Sequence, residues 1–145
     1  MKSMGVFMRA IALVLAFVST AAFADTVLIC RSYQKIEGWR AYNTNDYLRF
    51  TAYVVSDTEL KKAEVDGAYG SDVRDIKADP KYKPASKRYA NYNRFSDLED
   101  AWNWFLPLLP KDLTSQKGDF RGYIQIFGEE GFSETVSLKC SLKEH

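Results

Sequence analysis

Thr135-Val136-Ser137-Leu138-Lys139-Cys140-Ser141-Leu142-Lys143 is the stretch on which the fold turns. Apolar side chains stand at 136, 138, 140 and 142, and polar ones at 135, 137, 139, 141 and 143. A strict period of two is the mark of a strand with one face in a core and the other in water. Just upstream, Phe120, Gly122, Ile124 and Ile126 alternate with Arg121, Tyr123, Gln125 and Phe127. Gly128-Glu129-Glu130-Gly131 separates the two runs, and glycine at both ends of a short polar connection suits a hairpin loop. The end of the chain therefore reads as a β-hairpin.

The same period recurs further back. In residues 46–56, Leu48, Phe50, Ala52 and Val54 would face in, while Tyr47, Arg49, Thr51 and Tyr53 would face out. Residues 26–33 form a first strand with Leu28 and Cys30 on one face. Residues 60–65 form a weaker one that ends at the turn signal Asp66-Gly67, and residues 87–95 read as another. Residues 96–106 carry mixed signals. Ser96 and Glu99 make a capping-box pattern, and Leu98, Trp102 and Phe105 share a helical face. Trp102 and Trp104, two apart, suit a strand instead. The expectation is a short helix ended by Pro107, followed by a packed irregular connection over residues 106–113.

Many short strands between turn signals indicate an all-β antiparallel barrel or sandwich of about six to eight strands. The two cysteines, Cys30 and Cys140, lie on the apolar faces of the first and last strands. A disulfide between them requires Cα atoms within about 7 Å. The terminal strands must then be neighbours or face each other across the core, and a closed barrel makes them neighbours while removing exposed sheet edges.

Residues 1–24 have the composition of a cleavable secretory signal. Lys2 and Arg9 precede a short apolar run, and Ala22-Phe23-Ala24 is an A-x-A cleavage pattern. The run is short of the roughly 20 residues that a membrane anchor needs. Lipidation at Cys30 is disfavoured by the bulk of Ile29 before it. The working chain is then residues 25–145, a single β-rich domain in the periplasm or outside the cell, where an even cysteine count reads as a disulfide. Without Lys2 and Arg9 the chain has 18 basic and 19 acidic residues, a net charge of −1. Global attraction to nucleic acid is not expected from that balance.

Several chemistries lack their residues. The one histidine is His145, at the terminus. A frayed end cannot hold a general base, so Ser-His-Asp and Cys-His arrangements and His/Cys zinc sites are not expected. No glycine-rich phosphate loop occurs. A carboxylate pair, as in glycoside hydrolysis, would have to come from Asp97, Glu99 and Asp100 or from Glu129 and Glu130. The first group suits the acidic first turn of a helix and the second a hairpin tip. Asp66, Asp72, Asp75 and Asp79 do not follow the spacing of a calcium loop. No catalytic residue, metal site or cofactor is expected. Trp39, Trp102 and Trp104 suit a core more often than a sugar platform.

Residues 77–94 stand out. Lys77, Lys81, Lys83, Lys87, Arg88 and Arg94 face only Asp79, a local charge of +5, and Tyr82, Tyr89 and Tyr92 interleave with them. Arginine and tyrosine are enriched where proteins touch partners. Lys81, Tyr82, Lys83, Lys87, Arg88, Tyr89, Tyr92 and Arg94 are therefore the candidate site for a protein or an envelope glycan. The plainer reading is a solvated loop whose tyrosines lie on the barrel. Ser86-Lys87-Arg88-Tyr89 resembles the S-G-x-x-Y loop of C-type lysozyme inhibitors over those few residues, without the glycine. The first functional expectation is a non-catalytic binding module. The resemblance implies an alternative, an inhibitor of a secreted hydrolase such as a lysozyme. A carboxylate-dependent hydrolase is the third.

Overall fold

The computed structural model describes residues 26–35, 47–66, 73–97, 105–128 and 131–144. Its strands are β1 (Thr26–Lys35), β2 (Tyr47–Ser56), β3 (Glu59–Asp66), β4 (Arg74–Ala78), β5 (Tyr92–Ser96), β6 (Phe105–Pro110), β7 (Phe120–Gly128) and β8 (Gly131–Glu144). They close in sequence order into one antiparallel barrel. Each strand pairs with its neighbours in the chain, and β8 returns to β1. Barrel and sandwich were both open from the sequence; the closed barrel is what forms.

An eight-stranded barrel is just wide enough for side chains to fill. Leu28, Phe50, Val65, Ile76, Phe95, Leu109, Ile124 and Leu138 meet in the centre, one from each strand in turn. The inward set expected of β2, Leu48, Phe50, Ala52 and Val54, is buried throughout. Leu113, in a 3-10 turn at Leu113–Ser115, is fully buried in the same core. That turn is tied to the β2–β3 connection. Asp57 Oδ1 accepts hydrogen bonds from the Thr114 backbone N–H and hydroxyl, both at 2.7 Å.

Two irregularities keep the apolar faces in phase. In β3 the buried Leu60 and Ala63 are three residues apart, with Lys61 and Lys62 both exposed between them. A bulge supplies the extra residue. Lys62 has φ of 51°, and its N–H donates to Asp75 Oδ1 at 3.1 Å. In β1 the register shifts after Arg31. There the buried Ser32 hydroxyl accepts from Leu48 N at 3.0 Å and donates to Gln34 O at 2.8 Å. A side chain thus replaces the missing ladder partners at the bulge.

Cys30 and Cys140 are bonded, and they are direct register partners across the β1–β8 seam with Cα atoms 4.0 Å apart. Both are buried. The bridge staples the seam at which the barrel closes, and it marks a chain suited to an oxidising, non-cytoplasmic compartment. Gly122 makes room for it. A Cβ there would stand 2.9 Å from Cys140 Sγ and 3.2 Å from Leu109 Cδ2.

Two sequence expectations are corrected, and a third meets strand at its two ends. Residues 106–113 are not an irregular connection, because Phe105–Pro110 is strand β6. Its prolines fit for a specific reason. In an antiparallel strand donors alternate between the two neighbours. Lys111 N donates to Asn91 O, which puts the donor of residue 107 on the β5 side and that of 110 on the β7 side. The β5 pairing stops at Leu108 and the β7 pairing also stops at Leu108, so neither proline breaks a ladder bond. The short helix over 96–106 has strand at both ends, Ser96 in β5 and Phe105 in β6. Residues 98–104, with Trp102 and Trp104, lie outside the described residues. The strand expected over 87–95 starts only at Tyr92, and Lys87–Tyr89 is a 3-10 turn. Residues 1–24, Trp39, Glu129, Glu130 and His145 also lie outside the description.

Candidate functional site

Residues 79–91 connect β4 to β5 as a strap. Its ends are pinned by backbone: Asp79 N donates to Arg94 O at 2.8 Å, and Asn91 O accepts from Lys111 N at 2.9 Å. Asp79 Oδ1 accepts from Lys81 N at 2.9 Å and shapes the first turn. Its other carboxylate oxygen pairs with Arg94 Nη2 at 3.6 Å. The Arg94 guanidinium also lies 4.8 Å from the centre of the Tyr82 ring, within cation–π range. Burial raises the Tyr82 pKa; the nearby Arg94 charge opposes this, and Tyr89 adds to it.

The second half of the strap folds back onto the barrel's outer wall. Leu108 and Tyr123 are register partners on β6 and β7 and do not belong to the interior cluster, yet Leu108 is 0% and Tyr123 5% exposed. Tyr89 and Tyr92 gather around Tyr123 there. Tyr89 packs edge-on against Tyr123 at 5.0 Å between ring centres, Tyr92 does so at 5.4 Å, and the two are 6.5 Å from each other. Edge-to-face contacts at such distances contribute about 0.5–1.5 kcal/mol each beyond area burial. Tyr92 reaches across to β7, where its hydroxyl donates to Arg121 O at 3.2 Å. Burial raises the Tyr92 pKa, with smaller upward pushes from Tyr123 and Asp112 and a downward one from Arg121.

The eight candidate residues thus divide. Tyr82, Tyr89, Tyr92 and Arg94 are half-buried and hold the strap, whereas Lys81, Lys83, Lys87 and Arg88 are exposed along it. Arg88 lies 6.0 Å from the Tyr123 ring centre and leads the cationic row onto the wall. Compared with protein-family models, with curated proteins and with solved structures, the chain matches none of them.

Tyr123, Arg121 and Tyr33 belong to this face although the sequence reading passed over them. Arg121 lies 5.0 Å from the Tyr33 ring centre. Hydrogen bonds to the Tyr33 and Tyr123 side chains raise its pKa above the usual arginine value. The available signal was the outward set of β7, where Tyr123 and Phe127 are too aromatic for a plain wet face. Of the carboxylates weighed for chemistry, Asp75 accepts from Lys62 N and Asp79 from Lys81 N, both structural uses. Among the described residues no group of three or more His, Cys, Asp or Glu side chains could hold a metal ion.

Proposed function

We propose that this chain is an exported, non-catalytic binding module of the periplasm or extracellular space, and that it grips its partner through the strap. The observation that supports this is the division of labour between the strap and the start of β5, residues 79–94. Three tyrosines and Arg94 fix the strap to the wall, and that leaves Lys81, Lys83, Lys87 and Arg88 exposed at set positions. Ordering that is complete before contact lowers the entropy cost of binding. Four cations beside amphipathic tyrosines suit a partner with carboxylate or phosphate groups, either an acidic protein surface or an envelope glycan.

The test is a charge-reversed strap, with Lys81→Glu, Lys83→Glu, Lys87→Glu and Arg88→Glu. The fold should survive, because surface changes usually stay within about 0.5 kcal/mol each. Partners captured from envelope extract by the wild type should be lost, and the wild-type complex should weaken with salt because exposed charges are screened over about 8–10 Å. A partner whose affinity ignores both the substitutions and the salt would remove the strap from consideration.

A further inference from the structure

The register of the barrel assembles a second basic feature from residues far apart in sequence. Arg49 on β2 pairs with Arg31 on β1, Arg31 pairs with Lys139 on β8, and Lys139 pairs with Arg121 on β7. All four side chains are exposed on the outer wall. Neighbouring strands lie about 4.8 Å apart, so the four cations form a belt roughly 14 Å long across the strands. Like charges directly opposite one another destabilise a sheet. Three such pairs in succession are a cost that folding alone does not explain. Two carboxylates temper it: Asp66 is the register partner of Arg49, and Asp119 meets Lys139 at 3.3 Å. The Asp119 pair is more than half exposed at both ends, and an exposed pair of this kind is readily displaced.

A parallel row of hydroxyl groups lies one pleat away. Tyr47 stands two residues before Arg49, Tyr33 two after Arg31, and Ser137 two before Lys139, which the antiparallel register brings to one side of the belt. The tyrosines hold the arginines in place. The Arg31 guanidinium lies 4.1 Å from the Tyr47 ring centre and that of Arg121 lies 5.0 Å from Tyr33. A guanidinium held over a ring has already lost rotamer freedom, and its N–H groups suit a bidentate acceptor. On the other side of the belt stand the half-buried Thr51 and Ser141.

We infer that this belt binds an anionic polysaccharide, a chain with regularly spaced carboxylate, sulfate or phosphate groups and hydroxyls between them. Charge complementarity selects a polyanion, and the flanking hydroxyls match a polyol. A protein partner would need an apolar centre with charge at the rim, and here charge occupies the centre. The belt is a surface separate from the strap, continuous with it only through Arg121 and Tyr123.

The test titrates the full chain with polygalacturonate, a carboxylate polymer, and with dextran sulfate, with polyglutamate and phosphatidylglycerol vesicles as comparison probes. One or both polysaccharides should bind in a salt-sensitive way and at least tenfold more tightly than polyglutamate; the arm that binds better names the anionic group. Arg31→Gln with Arg121→Gln should weaken that binding at least tenfold. Arg49→Gln with Lys139→Gln, which touches neither tyrosine contact, should weaken it at least fivefold with an unchanged or raised melting temperature. The charge-reversed strap should keep affinity within about threefold. Failure of both polysaccharides to bind overturns the inference. So does equal or tighter binding of polyglutamate or vesicles, or binding lost with the strap and unaffected by both belt pairs.

Discussion

The two sides of this barrel are held by different means. On the β7–β8–β1–β2 side the strands run for nine to fourteen residues, and the seam carries a disulfide. On the β4–β5–β6 side the strands have five or six residues, and β4 and β5 are in register only at Lys77↔Ser96 and Ala78↔Phe95. Backbone ladders close the first side. The second borrows side chains from outside: Tyr89 of the strap and Tyr92 at the start of β5 pack edge-on against Tyr123, the register partner of Leu108, and β6 is buried along its whole length. A short, proline-bearing strand can thus stand in a closed barrel if a loop supplies the packing that its ladder lacks. The strap offered as a binding surface is therefore also part of the fold, which makes its anchors and its exposed cations separable by mutation.

The largest effect should come from removing the staple. Replacing Cys30 and Cys140 with alanine frees a loop of 110 residues, which in the chain-entropy account costs about 4.7 kcal/mol. At roughly 4 °C per kcal/mol for a domain near this size, the melting temperature should fall by about 15–20 °C. Hydrogen exchange should show protection lost first along β1 and β8. Loss starting in β4–β6 instead would mean that the strap side is the weaker closure even without the bridge.

Removing the outer anchor should cost somewhat less. Tyr123→Ala takes a buried ring from beneath Tyr89 and Tyr92, and a large aromatic truncation costs about 3–5 kcal/mol in a closed core, with the lower end expected on a wall that can collapse. Denaturant titration gives the number. The sharper reading is proteolysis of residues 79–91, which should become fast in Tyr123→Ala and stay slow in the cysteine double variant. Equal cleavage in both would dissolve the distinction between the two sides.

Gly122→Ala probes the point where the sides meet, since its new Cβ would press on Cys140 Sγ and on Leu109 of β6. Overpacking of this kind costs about 1–3 kcal/mol. In the cysteine-free background the 2.9 Å contact disappears, and most of the penalty should go with it, a coupling that a double-mutant cycle would measure. A penalty unchanged by loss of the bridge would place the strain at Leu109 and the Leu108 backbone instead.

Legibility from sequence divides along the same line. β2, β7 and β8 could be read because inward apolar residues alternate with outward polar or amphipathic ones. Phe105-Leu106-Pro107-Leu108-Leu109-Pro110 could not, because a strand covered on both faces has no alternation, and its prolines suggested a connection. β4 is five residues long and has a single fully buried side chain, Ile76, too little for a pattern. The strap's cations were visible because they are neighbours in sequence. Arg31, Arg49, Arg121 and Lys139 were not, because only strand register brings them together.

The smallest effect concerns alkaline pH and tests the strap alone. Tyr82 and Tyr92 both have pKa values raised above 10.0, chiefly by burial that disfavours the phenolate. A raised folded-state pKa means that the native protein holds these protons more tightly than the unfolded chain. Their contribution is therefore fully present below pH 10 and is lost as the pH climbs from there through the raised folded values. Ionisation would place the Tyr92 phenolate against Tyr123 and Asp112, so the strap should loosen before the β1–β8 seam does. Phenolate absorbance should show a late-titrating pair of tyrosines, and strap amides should lose protection in the same pH interval. Tyr92→Phe removes one ionisable group while keeping the ring contacts at 5.4 and 6.5 Å. It should give up only the bond to Arg121 O at neutral pH and extend strap protection to higher pH. A strap that loosens at the same pH in Tyr92→Phe as in the wild type would show that these phenols do not govern its attachment.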